Sequence, residues 1–324
     1  MLLERRRLLA AIGLSPVYAF GQGSYPSRPV RIVIPFASGG PTDVVARLIA
    51  ERMSARLMQP FIVEARPGAG GSIASELVAR SSPDGYTLMI GTATTHAVNP
   101  SLQGKRISFD PLRSFAPIAQ IARVPIVLVV KPDLPARTLP EFIALLRSRN
   151  GQMNYGSSGT GSMGHLASVL LLRQIGVDAT HVPYKGSAPM TADLVGGRID
   201  FASDALASVL PFVRDGRVRA LAIATPDRAR GLPDLPTFEQ AGLPGYQAYT
   251  WNVVFAPADT PATVIGTFNQ AFNAVLAEPE LARRLEDMGQ PPVTGTTPQG
   301  TATFVASELA KWEPVVRASG ATAD

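Results

Sequence analysis

The strongest local constraint on this chain is the stretch Val30–Leu57, in which VRIVIPF runs into ASGGPTD and then into VVARLIAERMSARL. Val30–Phe36 is uncharged apart from Arg31 and mostly β-branched, the composition of a strand covered on both faces in a parallel sheet. Beyond the turn, Val45, Ile49, Met53 and Leu57 recur every four residues with Val44 and Leu48 beside them, so the period changes from strand to helix. Gly39 and Gly40 permit a sharp reversal, and Pro41 stands at the first helical position, where a missing N–H costs nothing. The pattern predicts a helix that starts at the carboxyl end of a strand with several N–H groups free. Together with the positive end of the helix dipole, they form a place that receives an anion.

A second copy of the device follows. Gln152–Ser157 reads as a short strand, Ser158–Gly164 (SGTGSMG) as a loop of small residues, and His165–Gln174 as a helix with Leu166, Val169 and Leu170 inward. Two such corners in 324 residues predict two α/β lobes, each aiming a helix N-terminus at a shared cleft. Apolar residues make up 46% of the chain and charged ones 17%, enough for a large core. The absence of cysteine excludes disulfides, thiol nucleophiles and cysteine-ligated metals. Arg5, Arg6 and Arg7 against Glu4 account for +2 of the +5 net charge and leave a mild +3, with no basic run suited to nucleic acid.

Residues 1–23 read as an export signal: three arginines, an apolar run from Leu8 to Phe20 too short to span a bilayer, then small residues. A periplasmic location is therefore expected. From 24 to 100 the chain alternates βαβαβ, with Phe61–Ala65 and Tyr86–Thr92 as further strands and Ser72–Arg80 as a helix, which predicts a mainly parallel sheet. The hydroxyl run Thr92–His96, containing Thr94, falls at the carboxyl end of a strand, where open α/β sheets bind ligands. Ile118–Lys131 is strand-like but interrupted at Pro125. Thr138–Glu141 is a capping box, and Thr237–Gln240 reads as the start of a short helix ending at Gly242. Tyr249–Ala256 is the expected return crossing, followed by three helices opened by Pro261, Pro279 and Pro298.

Taken in order, several motifs carry a resemblance: Pro35–Asp43 (PFASGGPTD), Arg66–Gly71 (RPGAGG), Pro83–Leu88 (PDGYTL), His181–Ser187 (HVPYKGS), Leu235–Thr237 and Ala241–Tyr246 (AGLPGY). With Trp251 and Ala256-Pro257 they cover nearly the whole chain after the leader. The set resembles the Bug family of periplasmic solute receptors, the extracytoplasmic component of tripartite tricarboxylate transporters. The resemblance implies a two-lobed periplasmic-binding-protein fold of the flytrap, type II kind with two crossover strands. It implies one lobe from residues 24–124 plus 249–324 and a second from 125–248, and a monomer that is not an enzyme and needs no cofactor or metal. The implied ligand is a small carboxylate, a di- or tricarboxylate, acidic amino acid or aromatic acid, passed to membrane transporter subunits. Carried over by position, the ligand-gripping groups are Phe36, Ser38, Gly39, Gly40 and Thr42 from the first lobe and Ser158, Gly159, Thr160, Gly161 and Ser162 from the second. Where the family commonly has alanine before Gly39, this chain has Ser38.

Asp43 falls in the first turn of its helix, where a carboxylate complements the dipole. Asp204, at the end of a second-lobe strand, either pairs with an ammonium group of a ligand or caps the next helix. Tyr184 and Lys185 are on a loop that can line the cleft. His96, His165 and His181 are far apart in sequence and lack metal-ligand spacing. One rival reading remains. Gly159, Gly161 and Gly164 satisfy G-x-G-x-x-G between a strand and a helix, with Asp178 downstream, the pattern of an α/β nicotinamide-dependent oxidoreductase. The polar strand before the loop and the export signal count against it.

Overall fold

A computed structural model describes residues 25–322; the export signal expected over residues 1–23 lies outside the described residues. Strands β1 (Val30–Ile34), β2 (Phe61–Ala65) and β3 (Thr87–Thr92) are parallel, with β1 between the other two. Helices α1 (Pro41–Leu57) and α2 (Ser72–Ala79) make their crossovers. After β3 a π-helical turn over Thr94–Val98 runs into the short helix α3 (Asn99–Gln103), where the sequence shows only a run of hydroxyls.

The chain then enters β4 (Phe115–Val130), one strand of 16 residues. Its first half pairs antiparallel with β9 (Tyr249–Pro257), from Phe115↔Pro257 to Pro125↔Tyr249. Its second half pairs with β7 (Phe201–Ala205) and β8 (Arg219–Ile223). Pro125 does not interrupt the strand as the sequence suggested. Its missing N–H falls where β4 hands over from β9 to β7, so no ladder bond is lost there.

Beyond β4 come α4 (Leu139–Ser148), β5 (Asn154–Ser157), α5 (Met163–Ile175), β6 (Thr180–Pro183) and α6 (Ser187–Val195). Helix α7 (Leu206–Arg214) links β7 to β8, and β5 lies parallel between β6 and β7. The expected helix at Thr237 is absent: the segment stays in turns. Its capping box nonetheless forms, with Gln240 N–H donating to Thr237 Oγ1 and Thr237 N–H to Gln240 Oε1. Gly242 and the Pro244-Gly245 pair stop any propagation. Helices α8 (Ala262–Leu276), α9 (Pro279–Asp287) and α10 (Pro298–Ala318) complete the chain.

Strand alternation splits the core into layers. Ile32 and Ile34 face a cluster with Val45, Ile49 and Met53 of α1 and Phe268 and Phe272 of α8, whereas Val33 faces the opposite layer. In β4, Val127 and Val129 join Met190, Leu194 and Val209, while Ile126, Leu128 and Val130 turn the other way. That other layer is continuous from Val33 and Met89 through Trp251 and Trp312 to Phe142 and Leu171, so the two halves of the sheet share one buried seam. Glu308 of α10, 3% exposed, fastens the seam. Its carboxylate accepts from Tyr249 Oη at 3.1 Å and from the indole N–H groups of Trp251 and Trp312, both at 3.2 Å. Lys311 Nζ stands 3.6 Å from the same carboxylate and 4.7 Å above the Tyr249 ring.

Glu308→Ala leaves three buried donors without their acceptor, so the urea midpoint should fall by the equivalent of about 3 kcal/mol. Glu308→Gln keeps an acceptor oxygen and should lose clearly less.

Candidate functional site

The carboxyl ends of β1, β3, β5 and β7 converge on a cavity of about 840 Å³ that is also lined by Val124 and Ile126 of β4 and by Thr250 and Asn252 of β9. It therefore sits over the crossover, between the two halves of the sheet. A somewhat larger concavity, about 960 Å³, lies on the second half between α4 and the prolines of the Leu232–Pro236 segment. It includes the N-terminus of α4, which Thr138 already caps, and none of the unpartnered buried polar atoms found among the described residues.

Nine of the residues singled out from the sequence line the crossover cavity: Phe36, Thr42, Thr94, Ser158, Gly159, Thr160, Gly161, Ser162 and Asp204. Ser38, Gly39 and Gly40 do not. Ser38 and Gly39 are exposed, and Gly39, at φ +84°, belongs to a shallow groove against α7. The reason is Asp43. Its Oδ2 accepts the Gly39 N–H at 2.9 Å and the Arg47 Nε at 3.0 Å, so the first glycine corner folds back on its own helix. The Arg47 guanidinium holds the Asp43 carboxyl below the usual range against the opposing effect of burial, and the Gly39 N–H adds to the lowering. Asp43 thus does the capping work expected of it. The N–H groups of Thr42 and Asp43 itself have no partner among the described residues.

The second corner is organised by two histidines. His165 and His181 stack with ring centroids 3.9 Å apart, and Tyr155 stacks on His181 at 5.0 Å. His165 Nδ1 accepts the Gly161 N–H at 3.1 Å, which assigns the ring proton to Nε2. His181 Nε2 lies 2.7 Å from Ser157 Oγ, and that hydroxyl also accepts the Gly159 N–H at 3.2 Å. Ser162 caps α5 by accepting the His165 N–H. The amides of Gly159 and Gly161 are therefore already used within the loop, unlike those of a dinucleotide cradle. The N–H groups of Met163 and Gly164, both lining the cavity, have no partner among the described residues. Gly164 is needed for packing: a Cβ there would stand 2.1 Å from the Ser203 carbonyl oxygen, so α5 approaches β7 backbone to backbone.

Asp204 does not act as a helix cap; α7 has no side-chain cap. Its Oδ1 accepts the Ala205 N–H at 2.9 Å, while Oδ2 is buried with no hydrogen-bond partner of standard geometry. Burial pushes the Asp204 carboxyl up to about 6, opposed by the Ser187 hydroxyl and the Ala205 N–H. Thr92 Oγ1 is a second buried, unpartnered polar atom in the lining. Tyr184 and Lys185 stay out of the cavity, where Gly186 and Ser187 stand instead; the Tyr184 hydroxyl donates to Asp193. Asn99, Leu102, Gln103 and Gln290, which no motif or spacing marks, complete the wall. Asn99 and Gln103 hold the Ala69-Gly70 turn by donating to its carbonyls. His96 is structural, stacked 4.1 Å from Phe255 and fully buried.

The family model for the tripartite tricarboxylate transporter family receptor matches residues 45–321. Protein BugT of Bordetella pertussis is 36% identical over 328 residues, covering 98% of this chain and 99% of that protein. A solved structure of R. palustris Rpa4515 with adipate superposes with a TM-score of 0.81 at 40% identity, covering 92% of this chain and 99% of the other. MatC from Rhodopseudomonas palustris with bound malate gives 0.77 at 37% identity, covering 90% and 100%.

Two predictions arise from this geometry. Gly164→Ala should destabilise by roughly 2 kcal/mol, because α5 must move off β7, and should weaken ligand binding by calorimetry. Burial lowers His96 to about 3 and His165 to about 4, and lowers His181 as well, so on acidification from pH 7 the unfolded chain gains protons first. Stability should then fall as pH drops below about 6.5, His165 alone accounting for about 3 kcal/mol by pH 4. Asp204, raised to about 6, works in the opposite direction over the same window. Urea midpoints from pH 7 to 4.5 should fall more steeply in Asp204→Asn than in the parent chain.

Proposed function

This chain belongs to the tripartite tricarboxylate transporter receptor family, and from that premise we propose that it captures one small carboxylate in the crossover cavity and delivers it to a membrane transporter of the tripartite type. It is a solute-binding receptor rather than an enzyme, with the two-lobed flytrap, type II fold of periplasmic binding proteins. The oxidoreductase reading of the Gly159/Gly161/Gly164 loop is not supported.

The single observation that carries the ligand class is the convergence of two helix N-termini on one cavity. Thr42 at the start of α1, and Met163 and Gly164 at the start of α5, bring unpartnered N–H groups to it. Such groups bind an anion through fixed dipoles without needing a lysine or arginine. The adipate bound to Rpa4515 and the malate bound to MatC are small carboxylates, in keeping with that reading. Binding would draw together a lobe of residues 24–124 plus 249–324 and a lobe of 125–248, by a hinge at Arg123–Pro125 and Tyr249–Asn252. We also infer export to the periplasm through residues 1–23, and action as a monomer. No helix among the described residues is long and apolar enough to cross a membrane.

A thermal-shift panel of dicarboxylates, tricarboxylates, acidic amino acids and aromatic acids tests the proposal. A cognate ligand at one hundred times its Kd should stabilise the protein by about 2.7 kcal/mol, raise Tm by several degrees with no cofactor added, and be recovered chemically unchanged. Stabilisation by nucleotides alone, or conversion of the ligand, would overturn it.

A further inference from the structure

Asp204 is an expensive residue in its present place. It is 4% exposed and lines the cavity, and its Oδ2 has no hydrogen bond of standard geometry, with only the neutral Ser187 hydroxyl acting on the carboxyl beside the Ala205 N–H that holds Oδ1. Burial pushes the carboxyl up to about 6, so a positive charge beside it would favour its ionised form. The only other charged side chain lining the cavity among the described residues is Arg106, which is exposed and already engaged. A buried carboxylate without a counter-charge is destabilising, and a cation in the same enclosure relieves it. A fully ionised dicarboxylate brings no such cation and sets a like charge against Asp204.

The cavity thus presents two opposite demands. Unpartnered backbone N–H groups at the starts of α1 and α5 call for a carboxylate, and the orphaned Asp204 oxygen calls for a donor that carries positive charge. We propose that Asp204 reads an ammonium group on the ligand, and that the solute taken by this receptor is a small amino carboxylate rather than a dicarboxylate. This rests on the carboxylate-receptor reading above and narrows it. The cavity volume of about 840 Å³ accommodates a metabolite of this size together with water.

The test is a calorimetric comparison on the mature chain with pairs of probes that differ at one end only. Each α- or ω-amino carboxylate is matched with the dicarboxylate in which a second carboxylate replaces the ammonium, and with the monocarboxylate lacking both. At pH 7.5 the expected result is at least one amino carboxylate binding tenfold or more tightly than its dicarboxylate partner. Asp204→Asn, checked for an unaltered Tm, should lose tenfold or more for that amino carboxylate while binding the dicarboxylate equally well or better. A wild-type preference for dicarboxylates, or an Asp204→Asn variant that keeps its affinity for the amino carboxylate, overturns the inference and leaves the carboxylate reading standing. The wild-type comparison decides the matter by itself if the variant does not fold. Binding by none of the three probe classes would overturn the carboxylate reading and this inference together.

Discussion

The structure depends on the antiparallel pairing of β4 with β9. These strands lie where one half of the sheet passes into the other: β4 goes from β9 to β7 and β8, while β9 pairs with β4 along its length and with β3 on its other side over Asn252–Phe255. Because both strands cross at the same place, around Arg123–Pro125 and Tyr249–Asn252, the carboxyl ends of the parallel strands in each half face one gap. The placement of ligands beyond the carboxyl ends of strands then occurs twice over a shared cavity. The position of Pro125 at the hand-over, and of the bulges between Pro117 and Ala119 and between Gln120 and Ala122, shows where the ladder tolerates bending. Such a crossing is well suited to hinge motion, since main-chain pairing persists while the dihedrals around it adjust.

A seam of apolar packing runs along the same crossing. Trp251 and Tyr249 of β9, Trp312 and Glu308 of α10, and Arg123 above the Phe304 ring at 5.0 Å bind the last helix to the crossover. Glu308 is acceptable in that core because it is shared by two indoles and a phenol, with Lys311 at its edge. The C-terminal helix is thus held to β9 at the crossing.

The two glycine corners differ in how they satisfy their own backbone. The first uses Asp43, a carboxylate supplied by the helix itself, and this directs Gly39 away from the cavity. The second uses neutral imidazole, with His165 and His181 stacked beneath the loop and Ser157 joining them. What remains for a ligand is the set of N–H groups one or two residues further into each helix. Asp204, by contrast, leaves a polar atom unsatisfied inside the cavity, the sort of local cost that binding sites retain at the expense of stability.

The sequence alone determined the two strand–glycine–helix corners, the α/β class, the crossing segments and the family resemblance. Each of these is encoded locally: a change of hydrophobic period, a proline at a helix start, glycines at a reversal, or motifs in a fixed order. Nine of the twelve residues named from the sequence reach the cavity for that reason. It took the folded chain to place Ser38, Gly39 and Gly40 outside it, to bring His165 and His181 together from 16 positions apart, and to leave one oxygen of Asp204 buried with no hydrogen bond of standard geometry. It also decided that Asn99, Gln103 and Gln290 form the wall, and that Pro125 lies harmlessly inside a continuous strand. These outcomes turn on which donor reaches which acceptor first and on where strands exchange neighbours. Both are settled by contacts between segments remote in the chain, and no local pattern of residues carries that information.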